Sequence, residues 1–348
     1  MAVHAVIMAG GKGERLWPIS KPDMPKQLHS FGTTKSLIRG TFERLTSLTD
    51  AGSIYVVTNA DIAGKIHEQL PEMPLENILV EPVGRNTAPC IAYAARVISM
   101  KDPEAVMAVF PSDHLIVNPG KFMDAIVFGM DSLQGRPELL ITLGIVPDHP
   151  ETGYGYIAPG EVVDRDGNQQ MHRVLTFKEK PDEATARKYI ENGFLWNAGM
   201  FIFRADTIMK AFRDCLPIMY SQAMTMGSHG SITKEEINEF YRTVDAISID
   251  YGIMEKASHV AVVPVDFQWD DIGSWDALSK IITPDSFGNV IHGEVVSEES
   301  SGNVVWSSGK KIVIIGAEDL VVVEGEDAIL VCPRKKSQLV SRVAKLLK

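Results

Sequence analysis

Hydrophobic and polar positions alternate along the first 280 or so residues in a way that predicts strands followed by helices. Short continuous apolar runs, such as 3–9 and 105–110, are typical of buried strands. Longer stretches with helical spacing, such as 88–100, lie between them. Continuous apolar strands that alternate with helices are typical of a mostly parallel sheet covered on both faces. The pattern therefore predicts an α/β, Rossmann-like fold.

The same pattern gives the remaining elements of this part of the chain. Further strands are predicted at 53–58, 78–80, 139–146, 174–181, 196–203 and 260–265, and further helices at 36–48, 62–70, 122–133 and 182–191. The segment 153–157 contains too much glycine for a plain strand, and we expect its backbone to lie close to a ligand. In such sheets ligands bind beyond the carboxyl ends of the strands, where the segments 10–18 and 111–114 lie.

After about residue 283 the helical spacing fades. Short apolar runs separated by polar and glycine turns predict a small all-β unit, with runs at 289–291, 303–306, 312–315, 320–323 and 328–331. A basic helix is predicted at 337–347, and its apolar residues on one face predict that it docks: Leu339, Val340, Val343, Leu346 and Leu347. We therefore expect two units, residues 1–282 and 283–348.

Composition narrows the possible functions. The chain has 348 residues and a net charge of −11, which argues against general nucleic-acid binding. No apolar run approaches the roughly 18 residues that a membrane span needs. The first apolar segment is too short for a signal peptide and has no basic region before it. The three cysteines are widely spaced, which is typical of reduced thiols and argues against a clustered metal site. These features predict a cytoplasmic protein.

A glycine-rich turn follows the first predicted strand, at Gly10, Gly11 and Gly13. Four cations lie in or just after it against two carboxylates, so this part of an acidic chain is basic: Lys12, Arg15, Lys21 and Lys26. Backbone amides and cations in a turn suit a polyphosphate. The turn matches neither the phosphate loop of ATPases nor the dinucleotide fingerprint. By itself the glycine pattern is equally typical of a plain tight turn.

Nine motifs occur in order along the chain: GGKGERLWP (10–18), PKQ (25–27), EPVGRNTAP (81–89), PSDH (111–114), ETGYGYI (151–157), FKEKP (177–181), WNAGM (196–200), IDY (249–251) and WDDIGSW (269–275). Together they closely resemble the mannose-1-phosphate guanylyltransferases, or GDP-mannose pyrophosphorylases, over almost the whole chain. The resemblance implies the nucleotidyltransferase fold, with a C-terminal left-handed β-helix-like unit used in dimer contacts. The chain stops where two-function relatives carry a phosphomannose isomerase domain, so we expect the short, single-activity form.

The reaction implied by this resemblance is transfer of GMP from GTP to mannose 1-phosphate. An oxygen of the sugar phosphate attacks the α-phosphorus of GTP in line, GDP-mannose forms and pyrophosphate leaves. Because the sugar phosphate is already a nucleophilic anion, no protein nucleophile is needed, but two anions must be neutralised and aligned. The residues that we expect to carry this chemistry are Arg15, Lys26, Asp113 and Lys180.

The resemblance also implies binding roles. Nucleotide contacts are expected from the loop, the 81–87 segment and the end of the fourth strand: Gly10, Gly11, Gly13, Arg15, Lys26, Glu81, Pro82, Asn86, Thr87 and Ser112. The loop and Arg15 would hold the β- and γ-phosphates, Lys26 the α-phosphate, and the 81–87 segment the guanine. Sugar contacts are expected from Gly155, Glu179, Asn197 and Gly199, with Lys180 on the sugar phosphate.

A hard divalent cation, most naturally Mg²⁺, is expected to bridge the phosphates on Asp113 and Asp271. Either residue is also typical of a helix cap or turn aspartate. The chain departs from the family at Asp270, where a serine is usual, and this carboxylate could compete for the metal. His114 is expected to support the loop rather than to bind metal.

Two other functions stay open from the sequence. One is another sugar-1-phosphate nucleotidyltransferase, which uses dTTP, UTP or ATP. The other is a catalytically silent subunit that binds GDP-mannose, although such subunits tend to lose the basic or acidic residues that this chain keeps. For the enzyme we expect GTP and mannose 1-phosphate as ligands, no nucleic-acid or membrane partner, and a homodimer through the C-terminal unit. Arg15, Asp113 and Lys180 should then surround one cleft.

Overall fold

The computed structural model describes residues 1–11 and 13–347, so Lys12 of the predicted basic loop and Lys348 lie outside the described residues. In the first 282 residues the strands are β1 (Val3–Met8), β2 (Ile54–Asn59), β3 (Ile78–Glu81), β4 (Val106–Pro111), β5 (Leu115–Ile116), β6 (Leu140–Ile145), β7 (Gly155–Asp166), β8 (Gln169–Glu179), β9 (Leu195–Arg204), β10 (Val260–Val265) and β11 (Trp269–Asp270). The α-helices are α1 (Leu37–Leu45), α2 (Ala60–Gln69), α3 (Thr87–Lys101), α4 (Pro119–Gly135), α5 (Glu183–Glu191), α6 (Ala205–Cys215), α7 (Pro217–Thr225) and α8 (Lys234–Thr243).

A nine-stranded sheet forms the centre of the molecule, in the order β3-β2-β1-β4-β9-β6-β10-β8-β7. Strands β8 and β9 run against the others, and the remaining strands share one direction. Successive side chains of a strand point to opposite faces, so Val6 and Ile7 of β1 enter two separate apolar cores. Helices cover both faces. The predicted mostly parallel α/β sheet is therefore confirmed.

Several of the helices begin where the sequence offers a side-chain acceptor. Ser36 accepts a hydrogen bond from the backbone N–H of Arg39 at the start of α1. Asn118 does the same for Lys121 at the start of α4. At α8, Thr233 and Glu236 form a reciprocal capping box. Each of these short polar side chains satisfies a backbone donor that has no partner inside the helix. None of the helices in the described part of the chain is long and apolar enough to cross a bilayer.

Two sequence predictions for this part were wrong or incomplete. The glycine-rich segment near 153–157 belongs in part to a long strand, β7, which pairs with both β8 and β9. Bulges between Ala158 and Asp164 absorb its irregular sequence. Pairing on two sides outweighs the weak strand preference of glycine and proline. The helices α6, α7 and α8 were not predicted from the hydrophobic pattern.

The C-terminal strands are β12 (Val290–His292), β13 (Val295–Glu298), β14 (Val304–Trp306), β15 (Ile312–Ile315), β16 (Leu320–Glu324) and β17 (Ile329–Pro333). Parallel ladders join β12, β14 and β16 on one side and β13 and β15 on another, and β17 closes the first ladder antiparallel. Two buried amides stack in successive coils, since Asn289 Oδ1 accepts from Asn303 Nδ2 at 2.9 Å. The predicted β-helix-like all-β unit is confirmed.

The chain ends in a 3₁₀ turn (Arg334–Leu339) and α9 (Val340–Leu346). This helix docks as predicted, but the prediction of its buried face was wrong except at Val340. Val340 and Ala344 are buried, whereas Leu339, Val343, Leu346 and Leu347 are exposed. The two buried residues lie four apart, so they occupy one stripe, and the small Ala344 lets the helix lie close to the turn of Glu14–Leu16.

An apolar core joins the C-terminal unit to the glycine-rich loop. Leu16 from the loop and Trp275 lie in the same cluster as Val290, Trp306 and Val323. Trp275 Nε1 also donates to the carbonyl oxygen of Trp17 at 3.0 Å. The loop is therefore held between the central sheet and the C-terminal unit, and its position depends on both.

Candidate active site

A cavity of about 410 Å³ opens at the carboxyl ends of β1 and β4. Twelve residues predicted from the sequence line this main cavity: Gly10, Gly11, Glu81, Asn86, Thr87, Ser112, Asp113, Gly155, Glu179, Asn197, Gly199 and Asp271. A second cavity of about 390 Å³, which we call the loop cavity, shares Asp113, His114 and Asp271 with the first. Gly13, Arg15 and Lys26 line the loop cavity. The fold therefore gathers residues from distant segments at one edge of the sheet.

Two predicted residues stand apart from these cavities in the described structure. Pro82 does not line either one. Lys180 lies at the rim, where its ammonium group contacts Glu179 Oε1 at 2.5 Å and its side chain is 57% exposed. The side chain of Lys180 thus contacts the main cavity through the carboxylate of Glu179, and its backbone N–H donates to the carbonyl oxygen of Tyr154, which also lines that cavity. Its approach to a ligand requires the long side chain to turn.

Glycine is required at Gly13, where the backbone has a φ of 60°. A Cβ there would lie 2.5 Å from Ser20 Oγ and 2.6 Å from Lys26 Cβ, so the loop folds closely onto the segment that carries Lys26. The side chain of Gln27 fastens the other end, because its Nε2 donates to the carbonyl oxygens of Ala9 at 2.9 Å and Gly11 at 3.2 Å. Gln27 occurs in one of the motifs, but nothing in the sequence pattern assigns it this positioning role.

Lys26 and Asp113 form an ion pair between the two cavities. Lys26 Nζ lies 2.9 Å from Asp113 Oδ2 and donates to the carbonyl oxygen of Asp271 at 2.5 Å. Burial alone would raise the pKa of Asp113, but the nearby Lys26 charge, with lesser help from hydrogen bonds, outweighs it and lowers that pKa. Asp113 therefore remains an ionised carboxylate.

His114 is a neutral support next to this pair. Trp269 Nε1 donates to His114 Nδ1 at 3.0 Å, which leaves the ring proton on Nε2, 3.8 Å from Asp113 Oδ1. Burial lowers the pKa of His114 to about 4 despite the neighbouring Asp113 charge. An uncharged imidazole that packs edge-on against Trp269 fixes the orientation of the Asp113 segment and adds no positive charge to the site.

Asp270 and Asp271 are adjacent in the chain, but their side chains have different partners. Asp271 lines both cavities, and its Oδ1 accepts from the Tyr154 hydroxyl at 2.8 Å. Asp270 is buried, and its Oδ2 lies 2.7 Å from Lys280 Nζ. Its Oδ1 accepts from the backbone N–H of Ile272 at 2.7 Å. The carboxylate that departs from the family pattern thus lines neither the main cavity nor the loop cavity, and both of its oxygens already have partners.

Asp113 and Asp271 form the donor set that the sequence proposed for Mg²⁺. No group of three or more His, Cys, Asp or Glu side chains suited to a metal ion occurs in 1–11 and 13–347. Mg²⁺ commonly takes only one or two protein carboxylates and completes its octahedron with water and substrate phosphate oxygens. Two carboxylates on a shared cavity wall therefore fit this ion, and they fit it together with a phosphorylated ligand.

Glu81 also lines the main cavity. It is almost fully buried, and its Oε1 accepts from the Tyr241 hydroxyl at 2.9 Å. Burial raises its pKa to about 7, and the Tyr241 hydrogen bond offsets only part of that rise. A Cβ on Gly10 would lie 3.0 Å from Glu81 Oε2, so the glycine leaves room for this oxygen. The site thus contains an acceptor that titrates near neutral pH.

The lining of the main cavity also contains a polar cluster of Glu179, Asn197 and Asp250. A Cβ on Gly155 would lie 2.5 Å from Glu179 Oε2, so the glycine makes room for this carboxylate. Asn197 Nδ2 donates to Asp250 Oδ1 at 2.8 Å. Burial, with the nearby Glu179 charge, raises the pKa of Asp250 to about 6. Asp250 was missed as a site residue, although the motif IDY contained it.

Comparison with known proteins identifies the family. A family model described as nucleotidyl transferase matches residues 4–285. A curated mannose-1-phosphate guanylyltransferase of Salmonella muenchen is 39% identical over 99% of this chain and 73% of its own length. One from Escherichia coli K12 is 35% identical over the same shares. The chain belongs to the mannose-1-phosphate guanylyltransferase family. The resemblance found in the nine motifs is therefore confirmed.

Membership in the guanylyltransferase family extends to the C-terminal unit and to the three-dimensional structure. Residues 293–347 match a family model described as a MannoseP isomerase/GMP-like beta-helix domain. A crystal structure from Thermus thermophilus, described as a mannose-1-phosphate geranyltransferase, superimposes with a TM-score of 0.89 at 33% identity. That match covers all of this chain and 99% of the other. Both units of the guanylyltransferase fold therefore occur together in a solved relative.

Proposed function

We propose that this protein transfers GMP from GTP to α-D-mannose 1-phosphate and forms GDP-mannose and pyrophosphate. The observation that carries the proposal is the shared wall of the two cavities, where Asp113 and Asp271 meet Lys26. The loop cavity also carries Gly13 and Arg15, and the main cavity carries Gly10, Gly11, Glu179 and Asn197. A triphosphate and a sugar phosphate would therefore meet at that wall.

Neutralisation of charge is the main task of such a site. Arg15 offers a planar fork of donors to the β- and γ-phosphates, which a lysine lacks. Lys26 is buried beside Asp113 and is suited to the α-phosphate, where the bond changes. The incoming sugar phosphate is itself the nucleophile, so the protein's part is to align the two anions and to exclude water. Pyrophosphate would leave toward the loop cavity.

Asp113 and Asp271 would hold Mg²⁺ in this proposal. When bound, the ion supplies positive charge to the phosphate oxygens. Tyr154 keeps one oxygen of Asp271 in place by its hydrogen bond, and burial with the Asp271 charge raises the pKa of Tyr154, so its hydroxyl remains protonated as a donor. His114 fixes the Asp113 segment without competing as a cation. Asp270 takes no part, because Lys280 and the Ile272 amide engage it.

We assign the specificity for guanine and for mannose to two different groups of residues in the main cavity. Glu81 and the Asn86–Thr87 segment would accept from the guanine N1–H and N2 amino group, which dTTP, UTP and ATP do not present in this arrangement. Glu179 and Asn197 would bind the mannose hydroxyls. Lys180 would leave Glu179 and turn toward the sugar phosphate, since the exposed ion pair between them is weak.

We expect the KM for GTP to rise as the pH falls below about 7. An ionised carboxylate accepts from the guanine donors more strongly than a protonated one, and Glu81 is increasingly protonated below its raised pKa. The Glu81→Gln variant should bind GTP more weakly. Its KM for GTP should no longer rise as the pH falls from 8 to 6, because the amide does not titrate in this range. Steady-state kinetics over that range, with mannose 1-phosphate saturating, measure the effect. A parallel slope in both proteins would remove Glu81 from the guanine site.

The raised pKa of Glu81 also predicts a stability effect of known sign. The folded protein holds this proton more tightly than the unfolded chain, so Glu81 costs stability as the pH rises from its unfolded pKa, near 4.5, to about 7. The protein thus keeps Glu81 at a cost in folding stability whenever this carboxylate is ionised. Such a cost is typical of a group needed for binding.

We also propose the division into a catalytic domain, 1–282, and a C-terminal unit, 283–348, which the separate family matches to 4–285 and 293–347 support. Homodimer formation through the C-terminal unit is supported by apolar side chains exposed on its strands: Val296, Val313, Ile315, Ile329 and Val331. In a symmetric dimer, the apolar patch of one protomer would cover the same patch of its partner. We place the protein in the cytoplasm.

A panel of nucleotides against sugar phosphates tests the proposed function. Purified protein with Mg²⁺ should release pyrophosphate fastest with GTP and mannose 1-phosphate, and removal of the metal by a chelator should stop release. Turnover that is faster with dTTP, UTP or ATP would favour another sugar-1-phosphate nucleotidyltransferase. No release with any pair, together with tight GDP-mannose binding, would favour the silent subunit.

A further inference from the structure

The loop cavity is lined partly by the C-terminal helix. Ser341 and Lys345 of α9 face this cavity together with Arg15 and Lys26. They lie four residues apart and therefore on one face of the helix. Val340 and Ala344, directly before each of them, are buried against the rest of the protein, so the helix cannot rotate freely about its axis. The tail of the chain thus presents a lysine to the side of the site where the β- and γ-phosphates are expected.

We propose that Lys345 binds the terminal phosphates of GTP and the pyrophosphate product, so that the C-terminal unit supplies a cation to the active site. The inference rests on the proposed function and names one further binding residue of the same site. It gives the C-terminal unit a part in substrate binding that is separate from dimer formation.

The balance of charge in the loop cavity supports this role. Its described lining contains the cations Arg15, Lys26 and Lys345 and the carboxylates Glu14, Asp113 and Asp271. Lys26 is held by Asp113, and the two aspartates are the donors for a divalent cation. Within the described lining, Arg15 and Lys345 are then the cations left to face the terminal phosphates, which carry most of the negative charge of the nucleotide.

Lys345 is also able to exchange its present partner. Its Nζ lies 3.6 Å from Glu14 Oε2, and its side chain is 67% exposed. An ion pair of this exposure and length is weak because solvent screens it. A terminal phosphate offers more charge and several acceptor oxygens, so the flexible lysine side chain gains by turning to it. Glu14 then serves as a partner for Lys345 when no nucleotide is bound.

A purely structural role would give a different pattern. If the Lys345–Glu14 pair only fastened α9 to the loop, removal of either partner would loosen this attachment, and neither change would strengthen the binding of phosphate. If Lys345 binds phosphate, loss of Lys345 weakens binding, whereas loss of the Glu14 charge releases Lys345 and strengthens it. The Lys345→Met and Glu14→Gln variants therefore separate the two roles.

We expect Lys345→Met to raise the KM for GTP by about five- to tenfold, the loss of one charge-assisted contact to phosphate. In the reverse direction it should raise the KM for pyrophosphate similarly, while the KM for mannose 1-phosphate and for GDP-mannose stays near the normal value. The difference should shrink at high ionic strength. Glu14→Gln should lower the KM for GTP about twofold. Arg342→Met is the matched control, because this exposed cation lies on the same helix away from the cavity lining, and it should change none of these constants.

The proposal is overturned if Lys345→Met leaves the KM for GTP and pyrophosphate unchanged. It is also overturned if Glu14→Gln raises them to the same extent, or if the constants for all four ligands rise together. Calorimetric titration with GTP and with pyrophosphate keeps the test separate from the proposed function. Weaker binding in Lys345→Met alone supports Lys345 even if the normal protein forms no GDP-mannose, and equal binding in both proteins refutes it.

Discussion

Asp113→Asn is expected to lower kcat/KM for GDP-mannose formation by at least about a hundredfold. The substitution removes one of the two carboxylates that face both cavities and leaves the buried ammonium of Lys26 without its anionic partner. The amide oxygen that replaces the carboxylate still accepts from Lys26, which also donates to the carbonyl oxygen of Asp271, so we expect a loss of stability of about 1–3 kcal/mol with the fold retained. The measurement is pyrophosphate release over a series of Mg²⁺ concentrations, and a weakened metal site should need more Mg²⁺.

Asp124→Asn provides the control for this prediction. Asp124 is an exposed aspartate of α4, outside the lining of both cavities, and the chemical change is the same. Its activity and Mg²⁺ requirement should match those of the unchanged protein. Near-normal turnover of Asp113→Asn at every Mg²⁺ concentration would show that Asp113 is not a metal-binding residue.

Asp271→Asn and Asp270→Asn should change different properties although the residues are neighbours: the first should lower activity and the second should lower stability. Asp271→Asn should also lose at least about a hundredfold in kcat/KM and keep its melting temperature, because the new amide oxygen still accepts from Tyr154. Asp270→Asn should keep its activity within a few-fold and lose stability of about 1–2 kcal/mol, since it breaks a partly exposed ion pair with Lys280.

Thermal unfolding and pyrophosphate release, measured on both variants, decide between the two aspartates. A lysine variant extends the comparison, because Lys280→Met should reproduce the stability loss of Asp270→Asn without a large loss of activity. If Asp270→Asn proved the more damaging substitution for turnover, the assignment of Asp271 as the metal-binding carboxylate would be wrong, and the departure of this chain from the family motif would have changed its metal site.

Much of the candidate site was predictable because its residues lie in motifs that end strands. The glycine loop follows β1 and Asp113 follows β4, and parallel neighbouring strands end at one edge of a sheet. That topology alone brings Gly10 and Asp113 to one cavity. Their functional roles came from the resemblance to a family, since glycine turns and strand-end aspartates occur widely for structural reasons.

Other members of the site could not be predicted because their partners are distant in the chain. Gln27 fastens the loop through carbonyl oxygens, which carry no sequence signature. Tyr154 and Asp250 gain their positions from contacts with Asp271 and Asn197. The raised pKa of Glu81 arises from burial and not from any neighbouring motif. Each of these properties depends on desolvation or on a single hydrogen bond.

The sequence by itself determined the α/β sheet, the β-rich C-terminal unit and the segments that carry the chemistry, because hydrophobic period and turn residues are local properties. Only the tertiary structure decided which way Asp270 and Asp271 face, which stripe of α9 is buried, and that Lys345 lies beside the glycine loop. Adjacent residues have the same sequence context, and a helix with apolar residues on more than one face does not specify its partner. Packing between distant segments decides both the direction of the two aspartates and the buried stripe of α9. Only in the folded protein does one arrangement bury more apolar surface or form better contacts than another.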